Sequence, residues 1–446
     1  MCCYLLESYL VRFYVQKCRR FVSNIRLGYV VCGFGLIALL EFFGAFVHPF
    51  EVSYDENFAY PYEGNIHEFV SALRHNEKPE VEPINEYKHV FLLDQSQKCK
   101  EEDADDEIRL VFVVKSALEN FDRRIAIRNS WGIEKRFFDV PARTVFIVGT
   151  HPNDGELDAR LKLEAAVYKD VVQAEFTDSY YNNTIKTMMG FKWLVKYCPN
   201  SKFYMFVDDD MYVSMKNVAT FIKNPGNYPL YLIETGKVYS AHKREIKPSD
   251  LMYYEETNSV RNATYTSEIN DTKSFIARKS SNENTEKNEI YEKREDLGLN
   301  TSVLNRTRRE ILNFDPLDDT RMFAGFVFMR SSPQRHKFSK WYVPLKEYPY
   351  NLWPPYVTAG AYILSKEALL DLYYASLYTK HFRFDDIYLG LVAKKANIVP
   401  FHCEEFHFYK KAYTKYSYKY VIASHGYGDS NELLEVWNEQ KNLGNA

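Results

Sequence analysis

The segment FYMFVDDDMYVSM, residues 203–215, is the stretch on which the fold interpretation rests. Its aromatic and β-branched first half is typical of a buried strand, and its last residues indicate a second, short strand. Between them, Asp208, Asp209 and Asp210 place three carboxylates side by side, which repel one another unless a cation lies among them. Because oxygen ligands favour Mg²⁺ or Mn²⁺, the segment predicts a metal site that also binds a diphosphate. A solvated turn is the alternative.

Predicted strands and helices alternate on the N-terminal side of this segment. Short apolar runs at 108–117 (IRLVFVVKSA) and 144–150 (TVFIVGT) predict buried strands. Amphipathic stretches predict three helices, at residues 121–132, 156–170 and 182–198. This alternation predicts an α/β sandwich built on a mostly parallel sheet.

Two aspartates begin a predicted helix on the C-terminal side, in the segment 383–398. One of Asp385 and Asp386 can cap the free amide groups while the other acts as a general base, or both can serve only as caps. Ser365 is expected to cap the preceding helix. His425, in a Ser-His-Gly context, is either a structural histidine or a metal ligand.

The net charge of the chain and one local basic run bear on which partners it can bind. The formal net charge of −3 and the isoelectric point near 6.4 give no general attraction for nucleic acid. Arg123, Arg124 and Arg128 form a local basic run just before Trp131. Guanidinium groups suit phosphate oxygens, so the run is either a phosphate site or a solvated basic face of a helix.

The N-terminal region predicts a single-pass membrane anchor. Residues 27–47 are apolar apart from Glu41 and are about long enough to cross a bilayer. Basic residues precede this span and acidic residues follow it, so residues 1–26 are expected in the cytosol and the remainder in a lumen. Residues 48–106, polar and punctuated by proline, predict a stem, and residues 107–440 a lumenal catalytic domain. A cleaved signal peptide and a buried soluble helix are the alternatives.

The stretch from about 232 to 320 differs from its surroundings. It is dense in Glu, Lys, Asn, Ser and Thr and shows no clear periodicity, which predicts a disordered insertion in one catalytic domain. A domain boundary or an error in the gene prediction would also explain it. N-glycosylation sequons begin at Asn182, Asn262, Asn270, Asn300 and Asn305.

The cysteines divide at the predicted anchor. Three of them, Cys99, Cys198 and Cys403, follow it, and a Cys198–Cys403 disulfide is expected because both flank core-like segments. Cys99 would then be free or pair with a second chain, which leaves a homodimer open. The spacing does not match a structural zinc site.

Several motifs occur in the order found in a known family. They are AIRNSWG (126–132), FIVG (146–149), DVVQAEFTDSYYNNTIKT (170–187), FVDDD (206–210), KWYVPLKEYP (340–349), PPYVTAGAYILS (354–365) and FDDIYLG (384–390). Together they resemble the β1,3-glycosyltransferases of glycosyltransferase family 31, and the blocks at 335–343, 353–365, 382–390 and 421–425 look closest to its brainiac branch. The long insertion is a departure from that branch.

The resemblance implies a fold, a reaction and a site. It implies a GT-A-type nucleotide-sugar-binding sandwich, anchored in the Golgi membrane, that transfers GlcNAc from UDP-GlcNAc with inversion to β-mannose of a glycolipid. A glycoprotein acceptor stays open. The implied roles are metal binding for Asp208, Asp210 and His425, donor binding for Arg128, Lys186, Asp208 and Asp209, catalytic base for Asp386, and acceptor contact for Gly360 and Trp353.

Two other functions are compatible with these motifs. A β1,3-galactosyltransferase of the same fold would use UDP-galactose in place of UDP-GlcNAc. A non-catalytic lumenal chaperone or glycan-binding protein is the alternative outside enzymes, although such a protein has no need of both the aspartate triplet and the Asp385-Asp386 pair.

Overall fold

The computed structural model describes residues 27–42, 44–59, 66–100, 108–134, 141–152, 154–229 and 320–446. The predicted cytosolic tail, nearly all of the predicted insertion and four of the five sequons lie outside the described residues. The chain divides into two compact units. One contains the described residues up to Ala59 together with Ser331–Trp353, and the other contains the rest.

The first unit contains helix α1 (Leu27–Phe42) and the short helix α2 (Tyr54–Asn57). In the Ser331–Trp353 segment of this unit, Arg335 is buried and donates to the carbonyl oxygens of Val343, Tyr348 and Tyr350. Trp353 is buried too, with its ring centroid 3.9 Å from that of Tyr348. Trp353 therefore belongs to the packing of this unit.

Helix α1 is shorter than the 27–47 span that the sequence predicts. It has 16 residues, and Gly44 follows it with a φ of 74°. The N–H groups of Gly44 and Ala45 donate to carbonyl oxygens of the last helical turn at 3.0 and 2.9 Å, which is a Schellman motif. A glycine tolerates this left-handed conformation, so the helix ends there. Among the residues that the structure describes, no helix combines the length and apolar character needed to cross a bilayer.

The second unit is built on two sheets. Its strands are β1 (Phe91–Leu93), β2 (Leu110–Lys115), β3 (Ala142–Thr150), β4 (Val171–Thr177), β5 (Phe203–Asp208), β6 (Met211–Val213), β7 (Phe323–Phe328), β8 (Tyr356–Ser365), β9 (Phe401–His402), β10 (Phe406–His407) and β11 (Ala423–His425). The large sheet has the order β1-β4-β3-β2-β5-β8-β7-β9, and the small sheet has the order β10-β11-β6.

Helices cover the sheets and connect their strands. They are α3 (Ile66–Arg74), α4 (Phe121–Arg128), α5 (Gly155–Tyr168), α6 (Asn183–Tyr197), α7 (Met215–Lys223), α8 (Lys366–Ser376), α9 (Asp385–Lys395) and α10 (Ser430–Asn442). The expected cap at Ser365 is confirmed, because its side chain accepts a hydrogen bond from the Ala368 N–H.

The predicted parallel sheet is found in one half of the large sheet. Strands β4, β3, β2 and β5 run parallel to one another, as βαβ units require. The other half is different, because β8 runs antiparallel to both of its neighbours, β5 and β7. The large sheet is therefore mixed. Strands β2 and β5 are buried along almost their whole length, which explains why they appear in the sequence as continuous apolar runs.

The disulfide pairing differs from the predicted one. Cys99 pairs with Cys198, with Cα atoms 5.3 Å apart, and Cys403 is buried as a free thiol. Cys198 caps the end of α6, where the chain segment that follows β1 passes beside it, whereas Cys403 lies within the apolar core. Because Cys99 has its partner in the same chain, the reason for expecting a cysteine-linked homodimer no longer holds.

Candidate active site

A buried lysine joins the two acidic motifs. Lys115 ends β2 and lies opposite Asp208, the last residue of β5. Its Nζ lies 3.0 Å from Asp208 Oδ1 and 2.8 Å from Oδ2 of Asp385, the first residue of α9. The same Nζ donates to the Ala359 carbonyl oxygen at 3.2 Å. Lys115 and Asp385, which are 270 positions apart in sequence, thus meet where the ends of β2 and β5 lie beside the start of α9.

The charge states of this cluster follow from its surroundings. Although burial would lower the pKa of Lys115, the charges of Asp208 and Asp385 hold it well above its ordinary value. Desolvation raises the pKa of Asp208 to about 6, and Asp385 adds to the rise while Lys115 opposes it. The Asp208 side chain is still 32% exposed, so it remains accessible to a ligand. Lys115 is therefore a buried cation in contact with the partly exposed carboxylate of Asp208.

The two aspartates at the start of α9 are in different environments. Burial acts to raise the pKa of Asp385, but Lys115 and a 2.8 Å hydrogen bond from Thr187 Oγ1 hold it below its ordinary value. Burial and the charge of Asp385 raise the pKa of Asp386 to about 7. Asp386 accepts a 2.8 Å hydrogen bond from the Ile387 N–H and is partly exposed. A carboxylate with this pKa is suited to accept a proton near neutral pH.

Asp209 is held by the loop that follows β2. Its Oδ2 accepts hydrogen bonds from Ser116 Oγ at 2.7 Å and Asn120 Nδ2 at 2.9 Å, and its Oδ1 accepts one from Arg123 Nη1 at 2.9 Å. The carboxylate is buried and both of its oxygens have protein partners. Asp209 therefore fixes the 116–120 loop and the first turn of α4 against the end of β5, and its oxygens do not fit a metal.

Asp210 and His425 form a pair on the other side of the triplet. Strand β11 runs antiparallel to β6 and places His425 opposite Met211, next to Asp210. His425 Nε2 lies 3.2 Å from Asp210 Oδ2. Although burial would raise the pKa of Asp210, this contact lowers it, and it raises the pKa of His425. The two side chains that the sequence predicts as metal ligands are thus adjacent.

The donor atoms of this pair fit a divalent cation. Asp210 Oδ1 is buried and lacks a hydrogen-bond partner, which is costly for a carboxylate oxygen without a cation. An imidazole nitrogen and carboxylate oxygens suit Mn²⁺, and Mg²⁺ prefers the oxygens. In the described ranges, no three His, Cys, Asp or Glu side chains converge into a complete metal site. Further ligands would have to come from a bound diphosphate or from water.

Comparison with known proteins identifies the family of this chain. The galactosyltransferase family model matches residues 122–267 and 273–404. The Drosophila melanogaster protein named beta-1,3-galactosyltransferase brn is 36% identical over 405 residues, covering 91% of this chain and 93% of the relative. The chain belongs to the galactosyltransferase family.

Other relatives of this galactosyltransferase-family chain carry different names. Human beta-1,3-galactosyltransferase 1 is 26% identical over 357 residues, covering 80% of each chain. The rat lactosylceramide 1,3-N-acetyl-beta-D-glucosaminyltransferase is 25% identical over 417 residues, covering 91% of this chain and 82% of the relative. The predicted membership in the family 31 β1,3-glycosyltransferases is confirmed, and the chain is a sugar-transferring enzyme.

The structure of this galactosyltransferase-family chain places two predicted donor-binding residues in buried ion pairs. Lys186 Nζ lies 2.7 Å from Asp178 Oδ1 and donates to the Ser116 carbonyl oxygen at 2.7 Å. Arg128 makes two 2.8 Å contacts with Asp170 and lies against the Tyr168 ring. Lys186 thus holds Ser116, the first residue of the loop after β2. Arg128 connects α4 to Asp170, which follows α5.

The basic run does not form the solvated helix face that was one of its two predicted alternatives, and its role at a phosphate stays a prediction. Arg124 is fully buried, pairs with Glu164 at 2.7 Å and donates to the carbonyl oxygens of Ala117 and Leu118. Arg123 binds Asp209, and Arg128 binds Asp170. Arg124 therefore holds the loop after β2 in place, while Arg123 and Arg128 pair with Asp209 and Asp170.

Sequence reasoning missed the residues that connect the motifs. Lys115, Ser116 and Thr187 each contact an aspartate of the site, yet each lies in a segment that seemed only a strand end or a helix. The local signal was a lysine at the end of an otherwise apolar strand, a position at which a buried charge requires a partner. Gly360 lies on β8, where an added Cβ would meet the Met211 sulfur at 3.5 Å, beside Asp210.

Proposed function

We propose that this family member transfers GlcNAc from UDP-GlcNAc to the 3-hydroxyl of a β-linked sugar, with metal dependence and with inversion. The proposed acceptor is the β-mannose of a glycolipid. The observation that carries the proposal is the position of Asp386, a partly exposed carboxylate next to Asp385, whose partner Lys115 also contacts Asp208. A single displacement of UDP by the acceptor hydroxyl needs a general base close to the carboxylates that bind the donor.

Asp386 acts as the general base. The 3-hydroxyl oxygen of the acceptor attacks the anomeric carbon of the donor while its proton passes to the carboxylate of Asp386. The bond between that carbon and the UDP oxygen breaks, and UDP leaves. Because attack comes from the face opposite UDP, an α-linked donor gives a β1,3 product. No covalent intermediate is required.

Asp210 and His425 would hold the metal, with Asp208 facing the same space. A divalent cation supplies positive charge against the negative charge that grows on the departing diphosphate. Asp209 positions the donor indirectly, because it orders the loop after β2 through Ser116 and Asn120 and the start of α4 through Arg123. Lys115 keeps Asp385 ionised, and that charge in turn keeps the proton affinity of Asp386 high.

Galactose is the second candidate for the transferred sugar. Two of the relatives are named beta-1,3-galactosyltransferases, and one of them is the fruit-fly protein with 36% identity. The rat relative is named for transfer of N-acetylglucosamine. GlcNAc is favoured here by the brainiac-type blocks of the sequence. In both cases the roles of Asp386, Asp210 and His425 are the same.

A transfer assay on the full chain tests the proposal. UDP-GlcNAc and UDP-galactose are offered in parallel, with Mn²⁺, to β-mannoside and β-galactoside acceptors. Transfer of GlcNAc to the mannoside that is lost with EDTA is the expected result. Transfer of galactose alone would replace the donor and keep the mechanism. Transfer that EDTA does not reduce would contradict the metal role of Asp210 and His425.

We also propose that the enzyme works in the Golgi lumen, attached to the membrane near its N-terminus. What supports this is the basic-then-apolar N-terminal sequence, together with the Cys99–Cys198 disulfide, since disulfides persist in oxidising compartments. Enzymatic removal of N-glycans from the cell-derived protein should increase its gel mobility. A protein without N-glycans that remains with cytosolic markers on fractionation would contradict this location.

A further inference from the structure

A strip of aromatic side chains runs along one side of the proposed site. It consists of Tyr356, Phe328, Phe326, Phe408 and Tyr409, and it is called the aromatic strip below. Neighbouring ring centroids lie 5.5 Å apart for Tyr356 and Phe328, 5.1 Å for Phe328 and Phe408, and 5.2 Å for Phe408 and Tyr409. Phe326 lies 4.7 Å from Phe408 and joins the strip to the core. The rings form one continuous apolar surface.

The inner end of the aromatic strip lies beside the proposed base. A Cβ added to Gly390 would fall 2.5 Å from Tyr356 Cβ, so α9 packs directly on the start of β8 at this point. Gly390 is one helical turn after Asp386 and therefore lies on the same side of α9. Tyr356 is thus within about one turn of the carboxylate that would take the acceptor proton.

The outer end lies beside the metal-binding pair. Phe408 follows His407, which pairs with Ser424, the residue before His425. The aromatic strip therefore extends from the base helix to the strand that carries His425.

The two outer rings of the strip are exposed. Phe408 is 39% exposed and Tyr409 is 53% exposed. Large exposed apolar surface is costly in water and marks sites where another molecule binds. A sugar ring has an apolar face of C–H groups and a polar rim, so it can cover an aromatic ring without losing the hydration of its hydroxyl groups.

We infer that the aromatic strip binds the second sugar of the acceptor glycan, the ring next to the one that receives the transferred sugar. The inference rests on the proposed function, since it assumes that the acceptor hydroxyl lies at Asp386. The reacting ring then lies near Tyr356, and the next ring stacks on Phe408 and Tyr409. The enzyme would accordingly prefer an oligosaccharide over a single sugar.

Two acceptors and three variants test the inference. The acceptors are the methyl glycoside of the reacting sugar and a disaccharide that ends in the same sugar. The wild-type enzyme should use the disaccharide with a KM lower by about three- to tenfold. Phe408→Ala and Tyr409→Ala should remove most of this preference while the KM for the UDP-sugar stays the same. Tyr416→Ala is the control, since Tyr416 is 88% exposed and lies outside the strip.

The possible outcomes separate this inference from the proposed function. If the wild-type enzyme transfers sugar but shows no preference for the disaccharide, or if both variants keep that preference, the inference is wrong and the function stands. A stronger preference for an octyl glycoside than for the disaccharide would also overturn it, in favour of a lipid chain on the strip. If the wild-type enzyme transfers to neither acceptor, the proposed function itself fails. Thermal unfolding of each variant checks that it is folded.

Discussion

The base side of the active site, around Asp385 and Asp386, differs from the metal side, around Asp210 and His425. The difference is whether the charged atoms have partners within the protein. On the base side, Lys115 is in contact with Asp208 and Asp385, so the charges there have protein partners. On the metal side, Asp210 Oδ1 is buried with no hydrogen-bond partner, and His425 is 42% exposed. The base side is therefore prearranged, whereas the metal side has a donor atom that only a ligand can satisfy. This difference predicts that the two sides respond differently to mutation.

The largest effect is expected on the base side, from Asp386→Asn. The amide has the same shape but cannot take the acceptor proton, so kcat should fall by about 10²–10⁴-fold. UDP binding, measured by calorimetry, should be nearly unchanged. Asp154→Asn is the control, because the Asp154 side chain caps α5 by accepting the Leu157 N–H and asparagine caps equally well. A loss of UDP binding in Asp386→Asn would show that Asp386 belongs to the donor side.

Lys115→Met tests whether the base side is held together by its buried cation. The change leaves Asp208 and Asp385 without their partner, so the free energy of unfolding should fall by about 3–5 kcal/mol. Urea denaturation at neutral pH measures this. Lys162→Met is the control, since Lys162 and Asp158 form an exposed pair whose loss should cost at most about 1 kcal/mol. Equal losses in the two variants would mean that Lys115 contributes no more than a surface pair.

His425→Ala tests the metal side without disturbing the base side. The Mn²⁺ concentration for half-maximal activity should rise by about tenfold or more, while kcat at saturating Mn²⁺ changes less. Mn²⁺ binding followed by electron paramagnetic resonance gives a second measurement that does not depend on transfer. His75→Ala, an exposed histidine that follows α3, should change neither. An unaltered metal requirement in His425→Ala would remove this residue from the site.

The pH dependence of the wild-type enzyme tests the base side without any substitution. Asp386 acts as a base only when deprotonated, and its pKa is raised to about 7. At saturating Mn²⁺, kcat should therefore be constant above about pH 8 and fall by about tenfold per unit well below pH 7. Saturating metal is needed because protons compete with the metal for His425 and Asp210. A profile that is flat down to about pH 5 would contradict the assignment of Asp386 as the base.

The sequence predicted those features that depend only on residues close together in the chain. The runs that form β2, β3 and β5 were visible because these strands are buried on both faces. The aspartate triplet and the Asp385-Asp386 pair were visible because adjacent carboxylates are costly. The Lys115–Asp385 contact was not, because its partners are 270 residues apart and neither segment specifies the other.

The errors have the same origin. The Cys99–Cys198 pairing depends on where the segment after β1 passes the end of α6, which no local pattern records. The antiparallel direction of β8 depends on a connection whose path cannot be deduced from composition. The predicted end of the apolar span at residue 47 was wrong for a different reason. Gly44 is a helix-ending residue that the sequence shows, but the apolar run continues past it.

The boundary between β5 and β8 has one further consequence. Strands β1 to β6 come from before residue 230 and strands β7 to β11 from after residue 319, and in the large sheet these two groups meet only between β5 and β8. The Lys115–Asp385 and Asp210–His425 contacts both join one group to the other. A chain cut between Pro229 and Thr320 would leave two fragments, neither with a whole site. Sugar transfer by a mixture of the fragments would therefore report their reassembly, as in a split enzyme.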